Sequence, residues 1–312
     1  MNVRTLAVIV SYNPERVTLE QSLASLQKQS VDCVIVDNAS NNVDDIQAVS
    51  DSFSNTQIEL LEKNRGLAYA HNQGIEIAKK NGFSHVLLLD QDSVPLPDMV
   101  GRLVTAYLQK SSTNKVSAVG ARYLNPSNGN DSFFVRFGTL KFQRHYCQQA
   151  NDGGQHSNNE RSVEADFLIS SGSLISLEAL TEIGQMDEDL FIDHVDTEWF
   201  LRAKSMDYKA YGVCNALMQH ALGEQSHQIN LGGRQRNVPQ HKPFRYYYIF
   251  RNSIALYKRG YASNLWKWND FQRLSFIFVL YGFVKPPRLA NLSMMLKGIW
   301  HGLIGKLGKL DD

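Results

Sequence analysis

Over the first hundred residues, short apolar runs alternate with amphipathic stretches. Residues 6–10, 33–36, 58–61 and 86–89 are brief β-rich runs, the length of strands rather than helices. Between them, residues 18–29 set Leu19, Leu23 and Leu26 on one helical face, with Thr18 placed as N-cap. Ile46, Val49 and Phe53 mark a second helix, and residues 66–80 a third with Gly82 as its stop. Pro97 opens a fourth, with Met99, Val100, Leu103, Val104 and Leu108 inward. Strands alternating with helices predict an α/β fold on a parallel sheet. Such sheets bind ligands beyond the carboxyl ends of their strands. The polar segments after the four strands, Ser11-Tyr12-Asn13, Asp37-Asn38, Asn64-Arg65-Gly66 and Asp90-Gln91-Asp92, should therefore share one rim.

The pattern changes after Tyr123. Residues 124–160 are rich in Asn, Ser, Gly and Gln and contain two β-like runs, 133–137 and 140–146, which predict hairpins and a loop around 151–159. A strand is expected at 167–170 and a helix at 177–183, ended by Gly184. A second change near residue 230 divides the chain into an α/β domain, 1–230, and a C-terminal basic, amphipathic helical region, 231–312. There, residues 246–257 read as an aromatic helix. The apolar run 274–284 is too short for a bilayer span, which takes about 20 residues, and Pro286-Pro287 breaks it. Leu289, Leu292, Met295, Leu296, Ile299, Leu303, Leu307 and Leu310 then recur at helical spacing, with Lys297, Lys306 and Lys309 among them and Trp300 as an interfacial ring. This suits peripheral contact with an anionic membrane; the alternative is a helical subdomain packed on the body or on a second copy in a homo-oligomer.

Composition narrows the class. Of 312 residues, 43% are hydrophobic and 20% charged, which excludes general disorder. The net charge of +1 conceals an asymmetry: residues 241–312 hold 12 Lys/Arg against 3 Asp/Glu, and residues 1–240 hold 20 against 28. An acidic body with a basic tail suggests two units with different partners. Cys33, Cys147 and Cys214 form no Cys-x-x-Cys pair, which argues against a zinc ribbon or redox dithiol and suits a reducing cytoplasm. The N-terminal apolar run, closed by Pro14, reads as a first strand rather than a signal peptide. No Gly-x-Gly-x-x-Gly follows that strand, against a dinucleotide oxidoreductase, and no nucleic-acid recognition motif accompanies the basic tail.

Two acidic groups carry chemistry. Asp90 and Asp92, just past a buried strand, can converge on one divalent cation shared with substrate phosphates. Asp193, Asp196 and Glu198 crowd three carboxylates into six residues, a setting that raises pKa values and suits a base. The same residues also read as an acidic helix N-terminus, with Glu198 and Arg202 as an i,i+4 pair.

Taken in order, Val-Ile-Val-Ser-Tyr-Asn at 8–13, Val-Asp-Asn-Ala-Ser at 36–40, Asn-Arg-Gly-Leu-Ala at 64–68, Asp-Gln-Asp at 90–92, Ser-Gly-Ser-Leu-Ile-Ser at 171–176 and Asp-Thr-Glu-Trp-Phe-Leu-Arg at 196–202 resemble the inverting glycosyltransferases of family 2. The resemblance covers residues 4–222 and implies a GT-A fold, a Rossmann-like nucleotide-diphospho-sugar transferase domain. Leu-Asp-Gln-Asp-Ser at 89–93 and Phe-Ile-Asp-His-Val-Asp-Thr-Glu-Trp at 191–199 look most like the bacterial rhamnosyltransferases of O-antigen and cell-surface polysaccharide assembly. By that resemblance, Ser11, Asn13 and Asp37 would hold the nucleotide, and Asn64, Arg65 and Gly66 would line its pocket. Asp90 would contact the ribose or the metal shell. Asp92, with His220, would bind magnesium or manganese, and Asp196 would be the catalytic base. Position 195 is Val where many relatives have Glu, which leaves Asp193 as a rival base. Trp199 is either an acceptor-pocket floor or a core residue; Arg251-Asn252 either reaches the diphosphate or lies on a helix surface.

The implied donor is dTDP-L-rhamnose, or another activated sugar such as UDP-galactofuranose. The implied acceptor is a lipid-linked saccharide at the inner face of the cytoplasmic membrane. Two readings of another class compete. A nucleotidyltransferase would carry a Gly-rich loop where this chain has Ser11-Tyr-Asn-Pro14, and a non-catalytic saccharide-binding protein would have little use for Asp196.

Overall fold

A computed structural model of the chain describes residues 3–124, 133–147, 162–220, 226–231 and 234–311. Strands β1 (Thr5–Ser11), β2 (Asp32–Asp37), β3 (Thr56–Leu60) and β4 (His85–Asp90) pair in parallel in the order β3-β2-β1-β4. Helices α1 (Arg16–Lys28), α2 (Val43–Asp51) and α3 (Leu67–Lys80) connect them. Alternate residues of each strand enter opposite cores, as the pleat requires. Leu6, Val8, Val34 and Val86 pack with Ala70 and Ile75 of α3, while Ala7, Ile9, Ile35 and Leu87 pack with Leu19 and Leu23 of α1. A sheet buried on both faces explains why these strands read as unbroken apolar runs.

Beyond β4 the sheet is mixed rather than parallel. The chain continues through β5 (Ser93–Pro95), α4 (Met99–Ser111), β6 (Val116–Leu124), β7 (Phe133–Phe137), β8 (Phe142–Tyr146), β9 (Ser162–Ala165), β10 (Ser173–Ser176), α5 (Leu177–Ile183), α6 (Val195–Ser205) and β11 (Lys209–His220). In space the order is β4-β10-β6-β11-β5, with β9 on β11. β10 runs antiparallel to both β4 and β6. β7 and β8 form the expected hairpin off the sheet, and β12 (Ser226–Leu231) and β13 (Arg234–Pro239) form another.

Several local expectations shift. Thr18 lies inside α1, whose N-cap is Glu15; the Thr18 hydroxyl donates to the Glu15 carboxylate at 3.3 Å. Pro97 precedes α4 instead of opening it, and Asp98 at the N-cap adopts a left-handed conformation. Residues 167–170 form no strand. Phe167 makes a single bridge to Val135, and the strand lies six residues later. The loop expected around 151–159 falls outside the described residues. Cys147 and Cys214, which the sequence leaves as unrelated thiols, are joined by a disulfide that ties the end of β8 to β11; Cys33 is buried.

The C-terminal region comprises α7 (Pro243–Tyr257), α8 (Asn264–Val279), a π-helical turn (Leu280–Val284), a cis Pro286–Pro287 bond and α9 (Arg288–Ile304). α9 crosses α7 closely through two glycines: a Cβ on Gly298 would lie 2.4 Å from the Tyr247 carbonyl oxygen, and one on Gly302 2.7 Å from that of Arg251. Leu256 and Trp266 share a core with Leu201 of α6, so this region packs on the body. Its other side leaves Trp268, Phe271, Phe283, Leu289, Trp300 and Leu303 exposed. No helix of the described residues is long and apolar enough to cross a membrane.

Candidate active site

The parallel register aligns the strand ends. Ser11 pairs with Asp37, and Val10 with Asp90, so the segments after β1, β2 and β4 meet on one rim. Asp37 is buried there, and its carboxylate accepts from the Ser11 hydroxyl at 2.9 Å, the Ser40 hydroxyl at 2.5 Å and the Ser40 amide at 2.8 Å. Asp37 therefore organises the rim, and the more exposed Asn13 borders the open side. The Asn13 backbone is left-handed, its amide donates to Ser40 Oγ at 2.7 Å, and its Oδ1 accepts from the Asn41 amide at 2.8 Å.

Asn64, Arg65 and Gly66 form a tight turn into α3. Asn64 Oδ1 accepts from the Gly66 amide at 3.0 Å, and Asn38 Oδ1 from the Arg65 amide at 2.8 Å. The exposed Arg65 guanidinium lies over the Tyr69 ring, 4.3 Å from its centroid. Gly66 has φ +90, and a Cβ there would meet the Phe191 carbonyl oxygen at 2.5 Å. The Leu67 amide donates to that same oxygen at 2.6 Å. This contact locks the turn to the segment that leads into α6.

Asp90 and Asp92 leave the sheet under the control of Ser171, whose Oγ accepts from the Asp90 amide at 3.0 Å and lies 2.7 Å from Ser93 Oγ. The Ser-Gly-Ser motif thus fixes the acidic turn. His220 ends β11 directly opposite Ser93, which brings its backbone beside Asp92; its side chain lies outside the described residues. Among the described residues no three His, Cys, Asp or Glu side chains gather as a metal-ligand group.

The second acidic group separates into three roles. Glu198 is buried and paired with Arg202 at 2.8 Å, as the helix spacing predicts, and also accepts from the Tyr261 hydroxyl at 2.6 Å. Asp193 is paired with Arg245 of α7 at 2.5 Å. Asp196 has no ion pair among the described residues. Its Oδ1 accepts from the Thr197 amide at 2.7 Å and the Thr197 hydroxyl at 3.4 Å. Burial, reinforced by the Asp193 charge, pushes the Asp196 carboxyl above the usual range, against hydrogen bonds from the Thr197 and Ser170 backbone. Desolvation by burial opposes the charge of Arg245, while Asp193, by charge and hydrogen bond, and Asp90, by charge, favour it and raise its pKa.

The loop before Asp196 is conformationally unusual. Phe191, Asp193 and His194 all have positive φ. Arg251 and Asn252 hold it there, neither reaching a donor site nor lying on a helix surface. Both are fully buried. The Arg251 guanidinium donates to the carbonyls of Asp189, Leu190 and Gly308. Asn252 Nδ2 donates to those of Leu190, Ile192 and Asp193 at 3.0, 2.8 and 2.8 Å. Carbonyls in an irregular loop need such donors. Trp199 is a core residue, its indole N–H bonded to the Gly184 carbonyl at 2.8 Å. Arg245 was not legible in the sequence, because nothing in its local pattern points across 52 residues to Asp193.

Known proteins resemble this chain in sequence and in fold. A curated relative, "dTDP-rhamnosyl transferase RfbF" of Shigella flexneri, is 30% identical over 277 residues, covering 85% of this chain and 83% of its own. Among solved structures, S. aureus TarS 1-349 superposes with a TM-score of 0.57 at 12% identity, covering 96% of this chain and 81% of that one. GalNAc-T7, crystallised with UDP, GalNAc and Mn2+, superposes with a TM-score of 0.56 at 15% identity; the match spans 89% of this chain and 56% of that one. At such identities these two speak for the fold alone. The model of the family Glycosyl transferase family 2 matches residues 6–184, from β1 through α5, so the chain belongs to glycosyltransferase family 2.

Proposed function

We propose that this protein is an inverting rhamnosyltransferase that moves L-rhamnose from dTDP-L-rhamnose to a saccharide acceptor in O-antigen or other cell-surface polysaccharide synthesis. The relative described as a dTDP-rhamnosyl transferase, aligned over 85% of the chain, supports the donor. The observation that carries the mechanism is the separation of Asp196 from its acidic neighbours. Asp193 and Glu198 are tied to arginines, while Asp196 keeps a raised proton affinity and, among the described residues, no cation. As the acceptor hydroxyl attacks the anomeric carbon, Asp196 takes its proton. The bond from that carbon to the diphosphate oxygen breaks on the opposite face, and a single displacement inverts the centre. Membership of family 2 sets aside the nucleotidyltransferase and non-catalytic binding readings.

The donor's nucleotide lies along the rim of Ser11, Asn13, Asp37, Asn64, Arg65, Gly66 and Asp90 in this reading. Two strand-end carboxylates with a neighbouring histidine suit magnesium or manganese, completed by donor phosphate oxygens. Asp92, with Asp90 and His220, would hold the ion, which supplies Lewis-acid neutralisation of the departing diphosphate. Calorimetry with dTDP, UDP and GDP, with and without EDTA, tests the assignment. Metal-dependent binding selective for dTDP is expected. Selectivity for UDP would replace rhamnose with a donor such as UDP-galactofuranose, and no binding would remove the reading.

The same proposal includes a lipid-linked acceptor and peripheral attachment at the inner face of the cytoplasmic membrane. Exposed Trp268, Phe271, Phe283, Trp300 and Leu303 beside Lys267, Lys285, Arg288 and Lys297 support it. A second copy of the chain is the competing occupant of that face.

A further inference from the structure

Beside Asp196 a cavity of about 310 Å³ lies between the β7–β8 hairpin, α7 and α8. Its volume is at the lower end of small-ligand sites, roughly 300–1,000 Å³. Phe133 and Phe142 from the hairpin, Phe167 and Trp266 give it aromatic walls. Thr197, whose amide and hydroxyl both bond Asp196, also lines it, so the cavity adjoins the base.

Its charged groups balance. Asp193 and Asp270 line it together with Arg144 and Arg273; Asp193 is already paired with Arg245, and Asp270 is bonded to Arg273 at 2.6 Å and to the Tyr257 hydroxyl at 2.9 Å. A diphosphate would meet two carboxylates here, and a lipid chain would bury polar groups without partners. A neutral ligand with one apolar face and several hydroxyls meets neither penalty. The Arg273 guanidinium can only donate, so at 3.0 Å it fixes His194 Nε2 as an acceptor and places the imidazole proton on Nδ1. His194 lines the cavity, and its Nδ1 is buried without a partner among the described residues, beside the wall rather than open to it.

We infer that this cavity is the acceptor subsite, taking the apolar face of a neutral pyranose ring against Phe142 and its aromatic neighbours, with Arg273 reading its hydroxyls. The inference rests on the transferase reading and adds the site and chemical class of the acceptor. Helix α8 fastens the hairpin wall: Asn269 Nδ2 donates to the Gly138 carbonyl at 2.8 Å and Gln272 Nε2 to that of Leu140 at 2.9 Å.

Saturation-transfer NMR on the intact protein tests it, with the methyl glycosides of L-rhamnose, D-galactose and N-acetyl-D-glucosamine as probes and no donor present. At least one should bind, with saturation strongest on the ring C–H protons of one face. Phe142→Ala should weaken that binding about tenfold, the loss of one stacked aromatic contact of about 1.4 kcal/mol, and Phe142→Tyr should retain it. Calorimetric binding of dTDP should be the same in both variants, which also reports that they fold. Absence of binding by any probe, binding undiminished in Phe142→Ala, or displacement of the sugar by dTDP would overturn the assignment. Failure of the wild type to bind any nucleotide, with sugar binding intact, would instead count against the rhamnosyltransferase reading alone.

Discussion

Arg245 grips the Asp193 carboxylate with two hydrogen bonds, Nη2 to Oδ1 at 2.5 Å and Nε to Oδ2 at 3.3 Å. The pairing occupies both oxygens of Asp193, which favours Asp196 as base over its rival. Asp196→Asn should lower kcat about 10³-fold, within the range for loss of a general base, and leave dTDP affinity unchanged. In the wild type, activity should fall as pH drops through the raised Asp196 pKa. Asp193→Asn removes a charge that contributes to that rise, so the acidic limb of the kcat/KM profile should move to lower pH. An acid whose pKa is higher in the folded than the unfolded state favours folding at low pH, and that contribution is lost as pH rises through the folded value. Asp196→Asn should therefore raise the melting temperature at neutral pH while abolishing turnover. Equal loss of kcat in Asp193→Asn with no shift of the acidic limb would reverse the assignment.

Gly66 joins the rim of strand ends to the loop that leads into α6 and Asp196. A side chain there would need a φ of +90 and would overlap the Phe191 carbonyl and ring at 2.5 and 2.6 Å. Gly66→Ala should destabilise the protein by about 2 kcal/mol or more from backbone strain and overlap. It should also weaken dTDP binding, because the Asn64–Gly66 turn shifts with it. Thermal unfolding and calorimetry read the two effects separately.

The parts legible in the sequence are those set by local pattern. The four parallel strands and the rim of Ser11, Asp37, Asn64 and Asp90 follow from apolar runs that each end in polar residues. The Glu198–Arg202 pair follows from helical spacing. Long-range pairings were not legible. β10 inserts antiparallel between β4 and β6, which no strand–helix alternation signals. Cys147 and Cys214 meet across 67 residues because the hairpin folds back onto β11. Arg251 and Asn252 look like a polar helix surface until the 189–193 loop is laid over them. Local spacing reports a helix face, and only tertiary structure reports what covers it.

That latch makes its own prediction. Asn252→Ala removes the donor from three loop carbonyls, that of Leu190 buried, and should cost about 1–3 kcal/mol. Because the loop carries Asp193 and leads to Asp196, kcat should fall more than donor affinity. Arg251→Lys should not rescue the corresponding arginine function, since an ammonium lacks the planar fork that spans Asp189, Leu190 and Gly308. Loss of stability with unchanged kcat in Asn252→Ala would separate the latch from the chemistry.

The Cys147–Cys214 link closes a loop of 67 residues in sequence separation, which the chain-entropy account values at about 4 kcal/mol. It also anchors the end of β8, the strand that supplies Phe142. Reduction with dithiothreitol, or Cys147→Ser, should lower the unfolding midpoint and raise acceptor KM with little effect on dTDP binding. Cytoplasmic thiols stay reduced, so in that compartment the reduced form is the relevant one, and its acceptor KM is the value to compare with the oxidised protein. An unfolding midpoint insensitive to reductant would show that the link contributes nothing to the fold.

The exposed face of α8 and α9 decides between a membrane and a second copy of the chain. Trp300 and Leu303 are exposed to 61% and 53%, and basic residues flank them. On vesicles of phosphatidylcholine with added phosphatidylglycerol, the protein should bind and co-float, and it should not do so on phosphatidylcholine alone. Each lysine near an anionic surface contributes about 1 kcal/mol, so Lys297→Gln should reduce partitioning about fivefold. Raising salt from 0.1 M to 1 M shortens the screening length from about 10 Å to about 3 Å and should release the electrostatic part, leaving the part due to Trp300 and Leu303. Trp300→Ser with Leu303→Ser should remove the remainder without changing turnover on a soluble saccharide. If those substitutions instead convert a concentration-dependent dimer to monomer and leave flotation unchanged, the face is a subunit interface, and the lipid-linked acceptor loses its structural support.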